Sequence, residues 1–253
     1  MTSRTLISLL LVAPLVVLPA GRAAAADFIV RHAVVVDGTG AAARHVDVRV
    51  ADGRIAAIGE LAAQRGEQVV DARGLVLAPG FIDTHSHHDR GLDSQLDALP
   101  VTSQGVTTIV VGQDGFSQEP IADLFRRYGA RPAAINIASY AGHNSLREEV
   151  MGADASHAAT PAQVQAMRQL LAADMRAGAL GLSTGLEYDS GLYSTRAEVL
   201  ALADAAAPYG GRYISHMRSE DRKVWDALDE LLTIGREAKI PVQVSHAKLA
   251  MTD

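Results

Sequence analysis

From Pro79 onward, short apolar runs alternate with amphipathic stretches of helical period, and this alternation limits the fold more than any other feature of the chain. The runs cover residues 81–83, 107–111, 134–138, 179–182, 212–214 and 242–244. The clearest helical stretches between them cover residues 161–177, 195–207 and 222–239. Thr160-Pro161 reads as an N-cap followed by proline at the first helical position. Ser194 or Thr195, with Glu198 after it, has the form of a capping box. Strand–helix alternation of this kind implies an α/β fold with a parallel sheet built from βα units. About six units are present, each with polar residues after its strand. In a (β/α)8 TIM-like barrel those C-terminal strand ends form the active-site face, and six units are two short of closure.

Residues 27–78 have a different rhythm. Val34-Val35-Val36, the alternating Val46, Val48 and Val50, and then Ile55 and Ile58 have strand character. Asp52-Gly53 between the last two runs is a strong hairpin signal. Val69-Val70 and Leu75-Val76-Leu77 add two short strands, giving a small β-subdomain whose apolar face needs a cover. The expected organisation is therefore residues 27–78 as a small β portion and 79–253 as the barrel.

The first 26 residues read as a leader. A polar start with Arg4 precedes about 14 almost wholly apolar residues, shorter than the roughly 20 of a membrane-spanning helix. Ala24-Ala25-Ala26 then offers a cleavage site before Asp27, the order of a secretory signal peptide. The expectation is cleavage after Ala26 and a periplasmic or secreted protein with no membrane association afterwards; the competing reading is an uncleaved anchor. The formal charge of −6, without a basic block, argues against nucleic acid as a partner. The chain has no cysteine, which excludes disulfides, thiolate catalysis and cysteine-based zinc sites.

A metal site must then use imidazole and oxygen, and the sequence places both at strand ends. His85 and His87 are two apart after the first run, so on a strand their side chains share a face, while His88 points away. Ser215-His216 and Ser245-His246 each end a later run in the same way. Four histidines at three strand ends point to a divalent metal with histidine and carboxylate ligands, and zinc suits a nitrogen-rich site best. Asp83 is placed to support the histidines from behind. His157 lies in a loop-like stretch and is expected to be solvated.

Several stretches, in order, are similar to the D-aminoacylase (N-acyl-D-amino-acid deacylase) family of the amidohydrolase superfamily. They are APGFIDTHSHHD (residues 78–89), GVTTIVVGQDGFS (105–117), GHNSLR (142–147), GLSTGLEYDSGLYS (181–194), SHMRSED (215–221) and SHAKLA (245–250). The resemblance implies a metal-bearing (β/α)8 barrel beside a small β-sandwich, and hydrolysis of the amide bond of N-acyl-D-amino acids with one or two zinc ions. It makes His85 and His87 ligands on the first barrel strand, and His216 and His246 ligands on the fifth and sixth. Lys248 matches a residue that binds the substrate carboxylate, with a plain surface lysine as the competing reading. Arg218 and His143 lie in matching stretches without an assigned role.

Many family members carry Asn-Cys-Gly, with a metal-binding cysteine, where this chain has Gln113-Asp114-Gly115. Either Glu187, after the fourth strand, or Asp114 could replace that ligand. Related amidohydrolases place a bridging carboxylate or carboxylated lysine at the fourth strand, so Glu187 is the expected ligand and Asp114 the alternative. The general base implied by the resemblance is an Asp on the eighth strand, beyond residue 253. Residues 79–253 fall short of the roughly 250 of a complete barrel, and residues 249–253 carry no helix cap or polar tail. The expectation is the N-terminal part of a longer enzyme, or a truncated product inactive by itself. Alternative activities are a dipeptidase, a dihydroorotase-like cyclic amidase, or a non-catalytic product.

Overall fold

The alternating valines of residues 46–50 pair as expected. A computed structural model describes residues 27–249, so the leader-like residues 1–26 and the last four residues lie outside the described part. The chain divides between Pro79 and Gly80 into two compact units.

In the first unit, β1 (Phe28–Val35), β2 (Arg44–Ala51), β3 (Arg54–Gly59), β4 (Gln68–Asp71) and β5 (Val76–Leu77) form one mixed sheet in the order β3-β2-β1-β4, with β5 also paired to β1. The β2–β3 hairpin turns at Asp52 (φ 51°) and Gly53 (φ 71°). Positive φ at both central residues matches the right-handed twist of the flanking strands, and Asp-Gly accepts it at little cost. One face buries Val30, Ala33, Val35, Val48 and Ala72. These residues form a single sheet, and no second layer occurs among the described residues of this unit.

The second unit opens with β6 (Phe81–Asp83), followed by α1 (Leu99–Thr102), β7 (Val106–Val111), α2 (Ile121–Ala130), β8 (Asn136–Ser139), β9 (Ala141–Gly142), α3 (His143–Met151), α4 (Pro161–Ala177), β10 (Gly181–Gly185), α5 (Arg196–Ala206), β11 (Arg212–His216), α6 (Val224–Ala238) and β12 (Val242–Val244). The strands run parallel in two ladders, β6-β7-β8 and β9-β10-β11-β12. Only Tyr140 separates β8 from β9, so one continuous piece of chain pairs with β7 on one side and β10 on the other. The described strands therefore occupy six neighbouring positions in chain order. Each crossover lays a helix over the sheet, and Leu146, Met167, Leu171, Val199, Leu202 and Ile234 fill the space between.

The helix signals are largely realised. Thr160 forms the full capping box of α4, accepting from Gln163 N at 3.3 Å while Gln163 Oε1 accepts from Thr160 N at 2.8 Å. Thr195 caps α5 by accepting from Glu198 N at 3.2 Å. The reciprocal half of the expected box is absent, because the Glu198 carboxylate turns inward to His143 and Arg147. α6 starts two residues later than its apolar period suggests, since Ser219 Oγ accepts from the backbone N–H groups of Asp221 and Lys223 and holds them in a turn.

Candidate metal centre

Each strand of the second unit delivers its polar residues at the same end. The β6–β7 ladder continues past Asp83, with Ser86 N donating to Val110 O at 2.9 Å, so the chain stays extended through the His-Ser-His segment. His85 and His87 consequently lie on one side with ring centroids 5.4 Å apart. Asp83 accepts from the backbone N–H of His85 at 3.3 Å, so it supports that histidine through the main chain rather than the ring. His216 is the last residue of β11, and Ser245 N donates to Ser215 O at 2.9 Å, which brings His246 alongside it. Their rings meet edge-on with centroids 4.7 Å apart.

The loop after β7 supplies the group between them. Gly112, Asp114 and Gly115 all have positive φ, at 72°, 54° and 84°. An aspartate in that left-handed conformation is uncommon, although Asp tolerates it better than most residues. The loop has no slack: a Cβ on Gly112 would stand 2.1 Å from Tyr140 O, and one on Gly115 would stand 2.1 Å from Asn144 Oδ1. Buried Gln113 ties it down, its amide donating to Val110 O at 2.9 Å and Thr84 O at 3.2 Å. This packing aims the Asp114 carboxylate at the histidines. Its Oδ2 lies 3.2 Å from His85 Nε2 and 3.1 Å from His87 Nε2, and its Oδ1 lies 3.8 Å from His246 Nε2. Burial works against the charge on Asp114, but the His85 hydrogen bond and the charges of His85, His246 and His87 outweigh it and hold its carboxyl at about 2.

His216 closes the cluster, with Nδ1 3.2 Å from His246 Nε2 and 3.0 Å from the Tyr188 hydroxyl. Its other nitrogen, Nε2, faces Glu187 Oε2 at 3.1 Å. Two triads have ligand atoms all within 4.8 Å of one another: His85, Asp114 and His246, and His216, Glu220 and His246. Glu187 belongs to neither. Of the two carboxylates weighed from the sequence, the structure brings Asp114 into the centre and sets Glu187 behind His216. His85 Nδ1, Asp114 Oδ1, Glu220 Oε1 and His246 Nδ1 are buried here without a formed hydrogen bond. Several imidazoles, a charged carboxylate and unsatisfied polar atoms together are the donor set that a divalent cation such as zinc requires.

The other singled-out residues separate from the cluster. His88 is exposed, and His157 is exposed and bonded to Ala158 O and Asp154. His143 begins α3 fully buried, with Nε2 2.9 Å from Glu198 Oε1; burial, ahead of the opposing pull of Glu198, pushes its pKa down. Arg218 holds Glu230 of α6 through two hydrogen bonds of 2.8 and 2.9 Å. Lys248 ends beside the centre, its Nζ 3.0 Å from Glu220 Oε2. Glu220 and Tyr188 have no role in the sequence reading. Both lie inside stretches that carry the family resemblance, SHMRSED and GLEYDSGLYS, and that was the available signal.

Residues 68–252 match the amidohydrolase family. This chain belongs to that family. It is 39% identical over 246 residues to the D-aminoacylase of Alcaligenes xylosoxydans xylosoxydans, which covers 88% of this chain and 51% of that protein. A D-aminoacylase structure described for its binuclear metal centre superposes with a TM-score of 0.80 at 35% identity, over 86% of this chain and 52% of the other. The N-acyl-D-glutamate deacylase of Bordetella bronchiseptica, solved with zinc and a phosphonate inhibitor, gives a TM-score of 0.81 at 38% identity, over 86% and 50%. The amidohydrolase chain described here spans about half the length of the curated relatives it matches.

Proposed function

We propose that this chain carries the metal-binding part of an N-acyl-D-amino-acid deacylase, which hydrolyses the amide bond to release a carboxylate and a free D-amino acid. The observation that carries the reading is the meeting of His85, His87 and His246 around Asp114, with His216 against His246, at the C-terminal ends of parallel strands. In this reading those four histidines and Asp114 hold one or two zinc ions, and Glu187 orients His216 from outside. When bound, zinc polarises the scissile carbonyl and makes a water acidic enough to attack near neutral pH. Lys248, with about half of its side chain open to solvent, takes the carboxylate of the N-acyl amino acid and sets the amide over the histidines. A general base must accept the water proton and return it to the leaving amine; the family resemblance assigns it to an Asp beyond residue 253.

The half-length match to the relatives supports a longer protein whose remaining residues complete a (β/α)8 barrel and add the second layer of a small β-sandwich. Export to the periplasm or medium rests on residues 1–26 alone, and the substrate is a small molecule rather than nucleic acid or a membrane.

The test is hydrolysis by the full-length protein of paired N-acetyl-D- and N-acetyl-L-amino acids, before and after chelation. The expected result is turnover of the D series, lost with a chelator and restored by zinc. Turnover of dipeptides or cyclic amides instead would replace the deacylase reading with another amidohydrolase activity. Zinc retention without turnover of any amide would make the protein non-catalytic.

A further inference from the structure

Glu220 is among the least exposed carboxylates of the second unit, 1% accessible, yet it follows β11 in an irregular turn on the site side of the sheet. Its two oxygens face different partners. Oε1 lies 2.5 Å from His246 Nδ1 and 3.8 Å from His216 Nδ1, while Oε2 lies 3.0 Å from Lys248 Nζ. Its backbone N–H donates to Glu187 Oε1 at 3.1 Å, so the two acids that stand behind the histidines are joined. The His246 contact is short but off the hydrogen-bond line, since neither atom has a formed bond. Rotation of the imidazole about χ2, a broad torsion, is the motion that would align it.

His246 is used from both sides. Nε2 faces Asp114 and His216, and Nδ1 faces Glu220. A carboxylate on the far nitrogen of a metal-binding imidazole fixes its tautomer and raises its basicity. The second oxygen of the same carboxylate holds the Lys248 ammonium, which the deacylase reading sets against a substrate carboxylate.

We propose that Glu220 is a positioning residue that couples the metal centre to substrate recognition, holding His246 for the metal and Lys248 for the substrate carboxylate at once. This rests on the deacylase reading of the site. An uncharged amide cannot serve both partners: its single oxygen can accept from His246 or Lys248, and its NH2 repels whichever donor remains.

The experiment uses the full-length protein with zinc as the probe. Zinc affinity is measured by chelator competition on the metal-free protein, and carboxylate preference as the ratio of kcat/KM for an N-acyl-D-amino acid over its C-terminal amide. Glu220→Gln is expected to weaken zinc binding by about 10- to 100-fold and to lower the carboxylate preference. Lys248→Met is expected to lower only the preference. Glu220→Gln with wild-type zinc affinity, or with wild-type preference, overturns the coupling. If Glu220→Gln does not fold, Glu220→Asp replaces it: a shorter acid that lowers both quantities supports the proposal, and one that leaves either unchanged overturns it. Failure of the wild-type protein to bind zinc removes the metal-site reading itself, whereas failure confined to the Glu220 variants removes only this inference.

Discussion

Glu187 Oε2 sits 3.1 Å from His216 Nε2, the ring nitrogen opposite the one that meets His246. In the proposed reading, a carboxylate in that position orients the imidazole from behind rather than sharing its ligand. Asp114 has the complementary placement, touching His85 and His87 through one oxygen and approaching His246 with the other.

The two acids should therefore separate on zinc binding. Glu187→Gln is expected to weaken zinc by about 10- to 100-fold, the usual cost of losing a partner behind a ligand. Asp114→Asn should weaken it more, because it removes charge from among the histidines themselves. Chelator competition on both metal-free variants measures the order, and a larger loss in Glu187→Gln would return Glu187 to the ligand set.

The Asp114 loop should tolerate no side chain at its first glycine. Gly112 has φ 72°, and an added Cβ would stand 2.1 Å from the Tyr140 carbonyl oxygen, a backbone atom that cannot swing away. Gly112→Ala should cost at least about 2 kcal/mol, the sum of backbone strain and displaced packing. Gly129, exposed within α2, has nothing within 4 Å of its Cβ direction and no positive φ. Gly129→Ala should stabilise by up to about 1 kcal/mol. Urea midpoints of the two variants should move in opposite directions.

Much of this arrangement can be read from the sequence, and the divide follows from what a sequence encodes. A strand has a period of two, so the pairing of His85 with His87 and the exclusion of His88 follow from spacing alone. His216 and His246 are legible because each ends an apolar run. The proposed preference for Asp114 over Glu187 rests on which nitrogen of His216 a carboxylate meets and on the positive φ of Asp114, and spacing encodes neither. Glu220 is four residues past His216 in a turn without a period, so nothing marks its direction. α3 does not stand out in the sequence because three of the residues it buries, His143, Asn144 and Arg147, are polar and blur the apolar period of its inward face.

Glu119 should make stability fall as pH rises. It lies beside Asp174, whose Oδ1 accepts from Ile121 N at 3.0 Å, and it accepts from Ser117 Oγ. Burial first, and then the Asp174 carboxylate, push the Glu119 pKa up from 4.5 to about 8. Its folded pKa exceeds its unfolded one, so the native state retains a proton that the unfolded chain has released. Stability is then lost progressively between about pH 4.5 and 8. Glu119→Gln keeps a donor toward Asp174 without titrating. Compared with wild type at each pH, it should flatten this decline and be the more stable variant above pH 8, by an amount on the order of a few kcal/mol. A variant-to-wild-type difference that does not change between pH 5 and 9 would refute the assignment.

Arg147 tests whether the buried polar triad of α3 and α5 is structural rather than part of the metal centre. Its guanidinium is wholly buried, with Nη1 2.5 Å from Glu198 Oε1 and Nη2 donating to Ala155 O at 3.0 Å and His157 O at 2.6 Å. His143 contacts the same Glu198 oxygen at 2.9 Å. Removing one partner of a buried ion pair leaves the other charge without compensation, which typically costs about 3–5 kcal/mol. Arg147→Met should incur that loss, because it takes the guanidinium from the buried Glu198 carboxylate and leaves the Ala155 and His157 carbonyls without their donor. Among the described residues, none of the three forms a hydrogen bond or ion pair with His85, His87, Asp114, His216 or His246. The variant should therefore lose stability in denaturant while its folded fraction keeps wild-type zinc affinity. A parallel loss of both would move the triad into the functional site.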